Sequence, residues 1–388
     1  MTMELPAIAR IAAALVAAIL IAFIATPVVK SLAEKVGAVD VPKDNRRMHN
    51  HPIPRMGGLA IFLGFLLSTL IFVPLSNAMQ GMLLGSVIIV ILGIFDDIYA
   101  LPALPKLVVQ IAAALAAVLH GNVIQVISNP NIFSDNPYWV LGAWSIPVSV
   151  IWSVAITNAV NLIDGLDGLA VGVATISSLT MLVIAMLVSD SLVALMMAAL
   201  AGSCIGFLPY NHNPAKIFMG DTGSTFLGFV LATVSIQGLF KFYTIISFAV
   251  PFLMLGLPLF DTCFAILRRL SKGQNPMAPD RSHVHHRLID MGFSQKQAVA
   301  ILYVISAILG LSAVVLTTSG ALKAMVLLCA LCLAGLIAAR ISLSHGGEKT
   351  KIEEETTHGT ESDDNLRDPS GGSEDGPSGE GAGEPGGN

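Results

Sequence analysis

Charged residues are scarce in this chain of 388 residues, where Asp, Glu, Lys and Arg together make up only 12%. Hydrophobic residues make up 54% and the mean hydropathy is +0.75, which excludes an ordinary soluble domain. The apolar stretches are continuous and do not alternate with polar residues, so a membrane β-barrel is excluded as well. The composition therefore predicts an all-α polytopic integral membrane protein.

Cysteine is also scarce, and all four copies lie in apolar stretches: Cys204, Cys263, Cys329 and Cys332. The CxxC spacing of the last two is typical of redox or zinc sites. No other ligand lies near this pair in the sequence, which favours small apolar filler inside a membrane-spanning stretch. We therefore assign no chemistry to the cysteines.

Apolar stretches long enough to cross a hydrocarbon core of about 30 Å as helices recur along the chain. With the N-terminus outside, only Arg10, Lys241 and Lys323 of the 21 Lys and Arg residues lie at the outer face. That asymmetry agrees with the positive-inside rule and makes the C-terminus cytoplasmic. We expect an uncleaved first helix, because Glu4 precedes any cationic cluster and no clear cleavage site follows. We predict 11 transmembrane helices, at residues 8–29, 57–76, 80–95, 106–120, 144–161, 168–188, 191–209, 223–240, 243–267, 298–318 and 321–342.

Residues 1–344 form the predicted multi-span membrane domain, and residues 345–388 differ from them in composition. The second segment is rich in Gly, Glu and Ser and holds twelve acidic residues against three basic ones. Such a segment cannot bury enough apolar surface to fold. We therefore predict a disordered acidic tail on the cytoplasmic side.

Five carboxylates lie at the edges of the apolar stretches, and the predicted topology puts all five on the cytoplasmic side. A carboxylate at a membrane boundary is costly to keep without a partner. Carboxylate and amide oxygens are ligands that suit Mg²⁺. Convergence of the five would indicate a divalent cation and an anionic substrate. They are Asp96, Asp97, Asp164, Asp167 and Asp221.

The first acidic pair is Asp96 and Asp97, and adjacent helical residues point about 100° apart. One carboxylate could therefore hold a metal while the other holds a lysine or a substrate. Lys106 follows after one short loop, as a point charge suited to phosphate. Simple helix capping by the Asp pair is the alternative interpretation.

Two Asn and two Asp residues recur at three-residue spacing in the segment NAVNLIDGLDG. This spacing puts them on neighbouring positions of a helix. Gly165 and Gly168 are expected to break that helix and to expose backbone N–H groups for a ligand. An ordinary Asp-Gly turn is the alternative, but four amide and acid side chains at a membrane edge favour a binding site. The four are Asn158, Asn161, Asp164 and Asp167.

The segment MGDTGS opens a later apolar stretch with Asp221. This residue is either a helix cap or a metal ligand whose neighbours present N–H groups to a phosphate. Upstream of it, Asn211 offers an amide that is able to read a base edge.

Two basic segments complete the candidate site. In residues 37–58, Arg55 precedes Gly57 and Gly58, which predicts a phosphate site next to a close backbone approach. An ordinary positive-inside loop is the alternative there. Residues 268–292 hold four arginines and an HxHH pattern that resembles zinc spacing, but the loop has no cysteine. A basic, imidazole-rich clamp for a diphosphate is the favoured interpretation.

The ordered set PRMGG, DD, NAVNLIDGLDG, MGDTGS and HVHHRL resembles the polyprenyl-phosphate N-acetylhexosamine-1-phosphate transferases of glycosyltransferase family 4, over residues 5–343. It is most similar to the bacterial undecaprenyl-phosphate GlcNAc-1-phosphate transferases that start teichoic acid or O-antigen synthesis. The related phospho-MurNAc-pentapeptide translocases usually carry Thr-Met-Gly-Gly and three consecutive His. This chain has Arg-Met-Gly-Gly and His-Val-His-His at those points, which favours GlcNAc.

The resemblance implies a multi-pass enzyme of the bacterial plasma membrane that faces the cytoplasm and uses Mg²⁺, with Mn²⁺ as a substitute. Its substrates would be UDP-GlcNAc and undecaprenyl phosphate, and its leaving group would be UMP. No nucleic acid partner is expected, and a homodimer is an open alternative to a monomer. A pentapeptide translocase, or a secondary transporter with acids inside the membrane, would be the competing functions.

The resemblance also implies roles for individual residues, motif by motif. Asp96, Asp97 and Lys106 match the catalytic acidic pair and a lysine near the diphosphate, and Asp221 and Asn161 match the metal site. Gly165, Leu166, Asp167, Asn211 and Phe218 match the uridine pocket, and Arg281, His283, His285 and His286 match the diphosphate and sugar side. Asn158, Asp164 and Arg55 are further candidates for substrate binding.

Overall fold

The computed structural model describes residues 5–41, 52–129, 136, 138–238, 246–271, 273 and 283–318. These residues belong to one compact unit, Met1–Leu331. The predicted helix at 321–342, the boundary at residue 344, the acidic tail and Arg281 lie outside the described residues.

The described residues form twelve α-helices and two short antiparallel hairpins, which confirms a mostly all-α protein. One hairpin joins β1 (Val39–Asp40) to β2 (Ile53–Pro54), and the other joins β3 (Val126–Ser128) to β4 (Tyr138–Val140). The helices are α1 (Leu5–Val36), α2 (Gly58–Phe72), α3 (Asn77–Tyr99), α4 (Ala103–Leu119), α5 (Ser145–Leu162), α6 (Leu169–Leu187), α7 (Ser191–Asn211), α8 (Gly220–Gly238), α9 (Ile246–Met254), α10 (Gly256–Ser271), α11 (Val284–Asp290) and α12 (Gln295–Thr318).

Six of the described helices are long and apolar enough to cross a membrane: α1, α3, α5 with the short 3₁₀ turn before it, α6, α7 and α12. Two further apolar helices, α2 and α4, are shorter. Together with the composition, these helices make the chain a membrane protein.

One predicted span is divided in the structure. The stretch at residues 243–267 holds two helices, α9 and α10, separated at Leu255. The physical reason is Pro258, which has no N–H to donate to the carbonyl of Met254 one turn earlier. The division matters because α10 carries a buried acid, Asp261, near the candidate site.

Helix α8 lies at the centre of the bundle, between α3 and α5, and nearly all of its residues are buried. Small residues allow this close packing. A Cβ at Gly58 would lie 2.1 Å from the Cα of Gly223, and one at Gly93 would lie 2.3 Å from the Cα of Thr222. The predicted close approach at the start of α2 is thus confirmed, and it brings α2 and α3 against the first turn of α8.

The segment before α2 is tied to the same place. Pro54 accepts a hydrogen bond from the N–H of Phe218 at 2.8 Å, and Gly57 and Gly58 donate to the carbonyls of Phe218 and Met219, each at 2.9 Å. These backbone bonds hold Arg55 beside the N-terminus of α8.

Candidate active site

Asp97 is the anchor for the first turn of α8. Its Oδ1 accepts the backbone N–H of Asp221 at 2.9 Å, and its Oδ2 accepts the N–H and the hydroxyl of Thr222 at 3.1 and 2.6 Å. The Nε of Arg55 lies 3.4 Å from Oδ1, and the Asp97 side chain has 0% exposure. Asp97 therefore caps a helix that begins 123 residues later in the chain. The expectation that these N–H groups would be presented to a phosphate is wrong for Asp221 and Thr222, because Asp97 already occupies them.

Asp96 points toward α4, as the divergence of adjacent helical side chains predicts. Its Oδ2 lies 2.8 Å from the Nζ of Lys106, and its Oδ1 accepts the N–H of Leu101 at 2.7 Å. The same Nζ lies 3.8 Å from Asp221 Oδ2, and the Asp96 and Asp221 carboxyl groups are in hydrogen-bonding contact. Asp96 is 3% exposed and Asp221 is 25% exposed, so Asp221 is the carboxylate of this cluster that a ligand reaches most easily.

Asn161 connects α5 to the same cluster. Its Nδ2 donates to Asp221 Oδ1 at 2.6 Å and to Ser224 Oγ at 2.8 Å. Asn158 lies one turn earlier and bonds to Gln110 of α4, with Nδ2 to Oε1 at 2.7 Å. Its amide also donates to the carbonyl of Val154. Asn158 is therefore engaged within the protein and joins α5 to the helix that carries Lys106.

The donor set around Asp221 fits a hard divalent cation. Three carboxylates, those of Asp96, Asp97 and Asp221, face two cations, Lys106 and Arg55, so negative charge predominates. Among the described residues, no group of three or more His, Cys, Asp and Glu side chains has the arrangement of a complete metal site. Mg²⁺ is usually held by one or two carboxylates and completed by substrate phosphates. Asp221, with Asn161 beside it, meets that requirement.

The predicted break after α5 is confirmed: the helix ends at Leu162, and α6 begins after Gly168, which has φ +80°. Asp164 lies in this loop and is half-buried. Burial, followed by the charges of Asp221 and Asp97, raises the pKa of Asp164 to about 8. The loop therefore presents a largely protonated carboxyl at neutral pH, next to the acidic cluster.

The other residues of the loop divide between surface and interior. Leu166 is buried in the core, and Gly165 is exposed. Asp167 Oδ2 accepts Nδ2 of Asn213 at 2.9 Å and the N–H of Ala215 at 3.0 Å. Its Oδ1 has no hydrogen bond to another described residue. The carboxylate thus fixes the loop after α7 and keeps one oxygen for a ligand.

Asn211 has a role that the sequence prediction did not include. Its Oδ1 accepts the N–H of Gly168 at 3.1 Å, and its Nδ2 donates to the carbonyl of Ile217 at 3.0 Å. The buried amide therefore holds the loop before α6 against the loop before α8. Phe218, which is half-buried, lies in that second loop next to the segment carrying Arg55.

The three histidines lie together at the start of α11. The rings of His283 and His285 are stacked at 5.8 Å with an interplanar angle of 4°, and the ring of His286 is 4.3 Å from that of His285. His285 packs on Gly165, where an added Cβ would lie 2.3 Å from Nε2. Burial, with His286 as the next cause, lowers the pKa of His285 to about 4. His285 is therefore neutral at physiological pH.

Several residues at the site were not predicted from the sequence. Thr222 donates a hydrogen bond to Asp97, and Gln110 accepts one from Asn158. Tyr303 of α12 donates to the carbonyl of Gly168 at 2.5 Å. Asp261 of α10 bonds to His283. For Asp261 a signal existed, because a lone acid inside an apolar stretch indicates function by default. Polar Thr and Gln residues inside helices give no such signal.

Comparison with known proteins identifies the family. A model described as glycosyl transferase family 4 matches residues 79–239. The chain is 43% identical to a probable undecaprenyl-phosphate N-acetylglucosaminyl 1-phosphate transferase of Bacillus subtilis, over 80% of this chain and 86% of that protein. It is 35% identical to a decaprenyl-phosphate N-acetylglucosaminephosphotransferase of Mycobacterium tuberculosis, over 74% and 77% of the two chains.

A more distant relative is the undecaprenyl-phosphate alpha-N-acetylglucosaminyl 1-phosphate transferase of Escherichia coli K12, which is 26% identical over 72% of this chain and 77% of that protein. The matched family region, 79–239, includes Asp96, Asp97, Asn161 and Asp221, the residues that meet at the N-terminus of α8. The chain belongs to glycosyltransferase family 4.

Proposed function

We propose that the protein transfers GlcNAc-1-phosphate from UDP-GlcNAc to undecaprenyl phosphate, releasing UMP and forming a lipid-linked sugar diphosphate. The observation that carries this proposal is the convergence of Asp96, Asp221 and Asn161 with Lys106 and Arg55 at one end of the bundle. A site of this composition suits a diphosphate that arrives with a divalent cation. The relatives named for this reaction support the choice of substrates.

Asp221 and Asn161 would hold Mg²⁺, or Mn²⁺ in its place. The bound ion would neutralise the diphosphate and stabilise UMP as the leaving group. Lys106 lies 2.8 Å from Asp96 and 3.8 Å from Asp221, so its charge is held at the edge of the cluster where phosphate oxygens would approach. Arg55, with a side chain 31% exposed, supplies a second cation.

The lipid phosphate itself serves as the nucleophile in this proposal. A phosphate monoester has a second pKa near 6, so it is largely ionised at neutral pH and needs no general base. Asp97 is fully buried and bonded to α8, and Asp96 is nearly buried and bonded to Lys106. These engagements favour direct attack on the β-phosphorus over a covalent aspartyl intermediate.

The loop at residues 164–168 and the histidines form the other end of the proposed site. Asp167 keeps one oxygen for the uridine, and Gly165, which has no Cβ, leaves room for the ring of His285 against this loop. His283, His285 and His286, with Arg281, would contact the diphosphate and the sugar. Asp164 would contact the substrate, and Phe218 would contact the uridine.

The membrane topology belongs to the same proposal: 11 spans, an outer N-terminus, a cytoplasmic C-terminus and a site facing the cytoplasm of the bacterial cell. In that orientation the acceptor keeps its long tail in the lipid while its phosphate reaches Asp221. The product would start a cell-wall polymer such as teichoic acid, O-antigen or a related glycan. The homodimer stays a prediction.

The test uses purified full-length protein in detergent, undecaprenyl phosphate and radiolabelled UDP-GlcNAc. We expect lipid-linked sugar and UMP, loss of both in EDTA, and recovery on adding Mg²⁺ or Mn²⁺. Release of UDP would instead mean transfer of the sugar alone. Product from the MurNAc-pentapeptide nucleotide but not from UDP-GlcNAc would identify a translocase, and no product from either nucleotide would favour a transporter.

A further inference from the structure

A buried acid–imidazole pair lies beside the histidine cluster. Asp261 of α10 and His283 before α11 are both buried, with side chains 4% and 7% exposed, and Asp261 Oδ2 lies 2.8 Å from His283 Nδ1. Asp261 Oδ1 accepts the N–H of Val284 at 2.9 Å. The carboxylate thus holds both the imidazole and the first turn of the short helix that carries the other histidines.

This arrangement determines which nitrogen of His283 carries the proton. An ionised carboxylate only accepts hydrogen bonds, so in the hydrogen bond between His283 and Asp261 the proton is on Nδ1 of the histidine. In the neutral ring, Nε2 then carries a lone pair. Within the described part of the chain, Nε2 of His283 has no hydrogen-bond partner.

The ring of His283 is connected to the loop between α5 and α6 through its neighbour, His285. It stacks on His285 at 5.8 Å, and His285 in turn lies on Gly165. Rotation of His283 would therefore disturb a ring that covers the loop between α5 and α6. Asp261 prevents that rotation, because it fixes the ring and the backbone next to it at the same time.

We propose that Asp261 is a positioning residue for the transfer reaction: it fixes the orientation and tautomer of His283 so that Nε2 accepts a hydrogen bond from a hydroxyl or amide N–H of the nucleotide sugar. This inference rests on the proposed function. A partner that orients a functional imidazole in this way is worth about 10- to 100-fold in activity. A plain cap for α11 is the competing role.

Two substitutions separate these roles. Asp261→Asn keeps an oxygen for the N–H of Val284 but puts an NH₂ group opposite Nδ1, which forces the proton to Nε2. His283→Asn keeps a donor near the position of Nδ1, so the bond to Asp261 is retained, but no atom remains at Nε2. Asp290→Asn, an exposed change at the end of α11, is the matched control.

The experiment measures kcat, KM for UDP-GlcNAc and thermal unfolding for wild type, the three variants and the Asp261→Asn/His283→Asn double variant. We expect kcat/KM to fall about 10- to 100-fold in both site variants, with unchanged melting temperatures and an unchanged Asp290→Asn control. The double variant should lose no more than His283→Asn alone, because both changes remove the same contact.

Three results would overturn the inference: wild-type kcat/KM in Asp261→Asn, wild-type kcat/KM in His283→Asn, or losses that multiply in the double variant. If Asp261→Asn unfolds early, the His283→Asn variant decides the question, since it retains the bond to Asp261. A wild-type protein that makes no product would overturn the proposed function and this inference with it. If the wild-type protein makes product and Asp261→Asn and His283→Asn are as active as wild type, the inference is overturned and the proposed function stands.

Discussion

Replacing Asp97 with Asn should destabilise the protein, whereas replacing Asp221 with Asn should not. Both oxygens of Asp97 accept hydrogen bonds from the first turn of α8, in a side chain with no exposure. The variant amide has one oxygen, so its NH₂ group must face either the N–H of Asp221 or that of Thr222. One buried donor is then left without an acceptor.

The size of the effect follows from these contacts. A hydrogen bond to a charged group contributes about 1.5–3 kcal/mol. A buried N–H left without an acceptor costs about 1–3 kcal/mol. These two terms describe overlapping contacts, and together they predict a loss of about 2–4 kcal/mol in the free energy of unfolding. Arg55 also loses its partner, but it is 31% exposed and adds less than about 1 kcal/mol.

Asp221→Asn is expected to behave differently. The side chain is 25% exposed, and the variant oxygen can still accept the bond from Asn161. Its lysine partner is 3.8 Å away and half-exposed, so the loss of this ion pair costs about 1 kcal/mol at most. We therefore expect Asp221→Asn to lose activity while it remains as stable as wild type.

The assay is thermal unfolding in detergent, followed by transfer kinetics on the same preparations. The matched control is Asp190→Asn, because Asp190 caps α7 through one bond, to the N–H of Val193 at 3.2 Å. Asn and Asp are equally good N-caps, so this control should unfold as wild type does. An Asp97→Asn protein that unfolds like wild type but makes no product would refute the anchoring role and would indicate a direct catalytic role for Asp97.

Three further predictions concern other parts of the site. Lys106→Met removes a cation from the edge of the cluster, so it should lower kcat about 100-fold or more with little change in thermal unfolding. A loss of less than tenfold in kcat would contradict the electrostatic role of Lys106. Gly165→Ala should raise KM for UDP-GlcNAc, because a Cβ there would lie 2.3 Å from Nε2 of His285, and an unchanged KM would mean that the loop is not part of the nucleotide site. Asp164 has a folded pKa of about 8, above the usual value, so the folded state keeps its proton while the unfolded state loses it near pH 4. The free energy of unfolding should therefore fall as pH rises between about 4 and 8. Asp164→Asn removes this pH dependence, so in EDTA the variant should become increasingly stable relative to wild type up to pH 8. A difference in stability that does not change with pH would contradict the raised pKa.

Local sequence patterns predicted most of the long apolar helices among the described residues, and the divergence of the acidic pair. Apolar length located α1, α3, α6 and α7 to within a few residues in most cases, because lipid requires each span to satisfy its own backbone hydrogen bonds. The break at Gly165 and Gly168 followed from glycine chemistry. The division of the stretch at 243–267 was missed, although Pro258 was visible in the sequence, and the two hairpins and the short helix α11 were missed as well.

Long-range contacts could not be predicted in the same way. That Asp97 caps α8 depends on two segments more than 120 residues apart, and no local pattern distinguishes a cap of this kind from a catalytic acid. The internal bonds of Asn158 and Asn211 are of the same type, since an amide able to bind a ligand is equally able to join two helices. The family motifs include the segments that meet at the start of α8, and only the geometry separates the side chains open to a ligand from those engaged within the protein.

The most direct test of the account compares transfer by wild type, Asp221→Asn and Asp190→Asn over a Mg²⁺ titration, with UMP and lipid-linked sugar counted together. We expect equal amounts of the two products from wild type and from Asp190→Asn, none in EDTA, and a rate at least about 100-fold lower in a folded Asp221→Asn protein. A folded Asp221→Asn protein with a rate within tenfold of wild type, or full wild-type activity in EDTA, would contradict it.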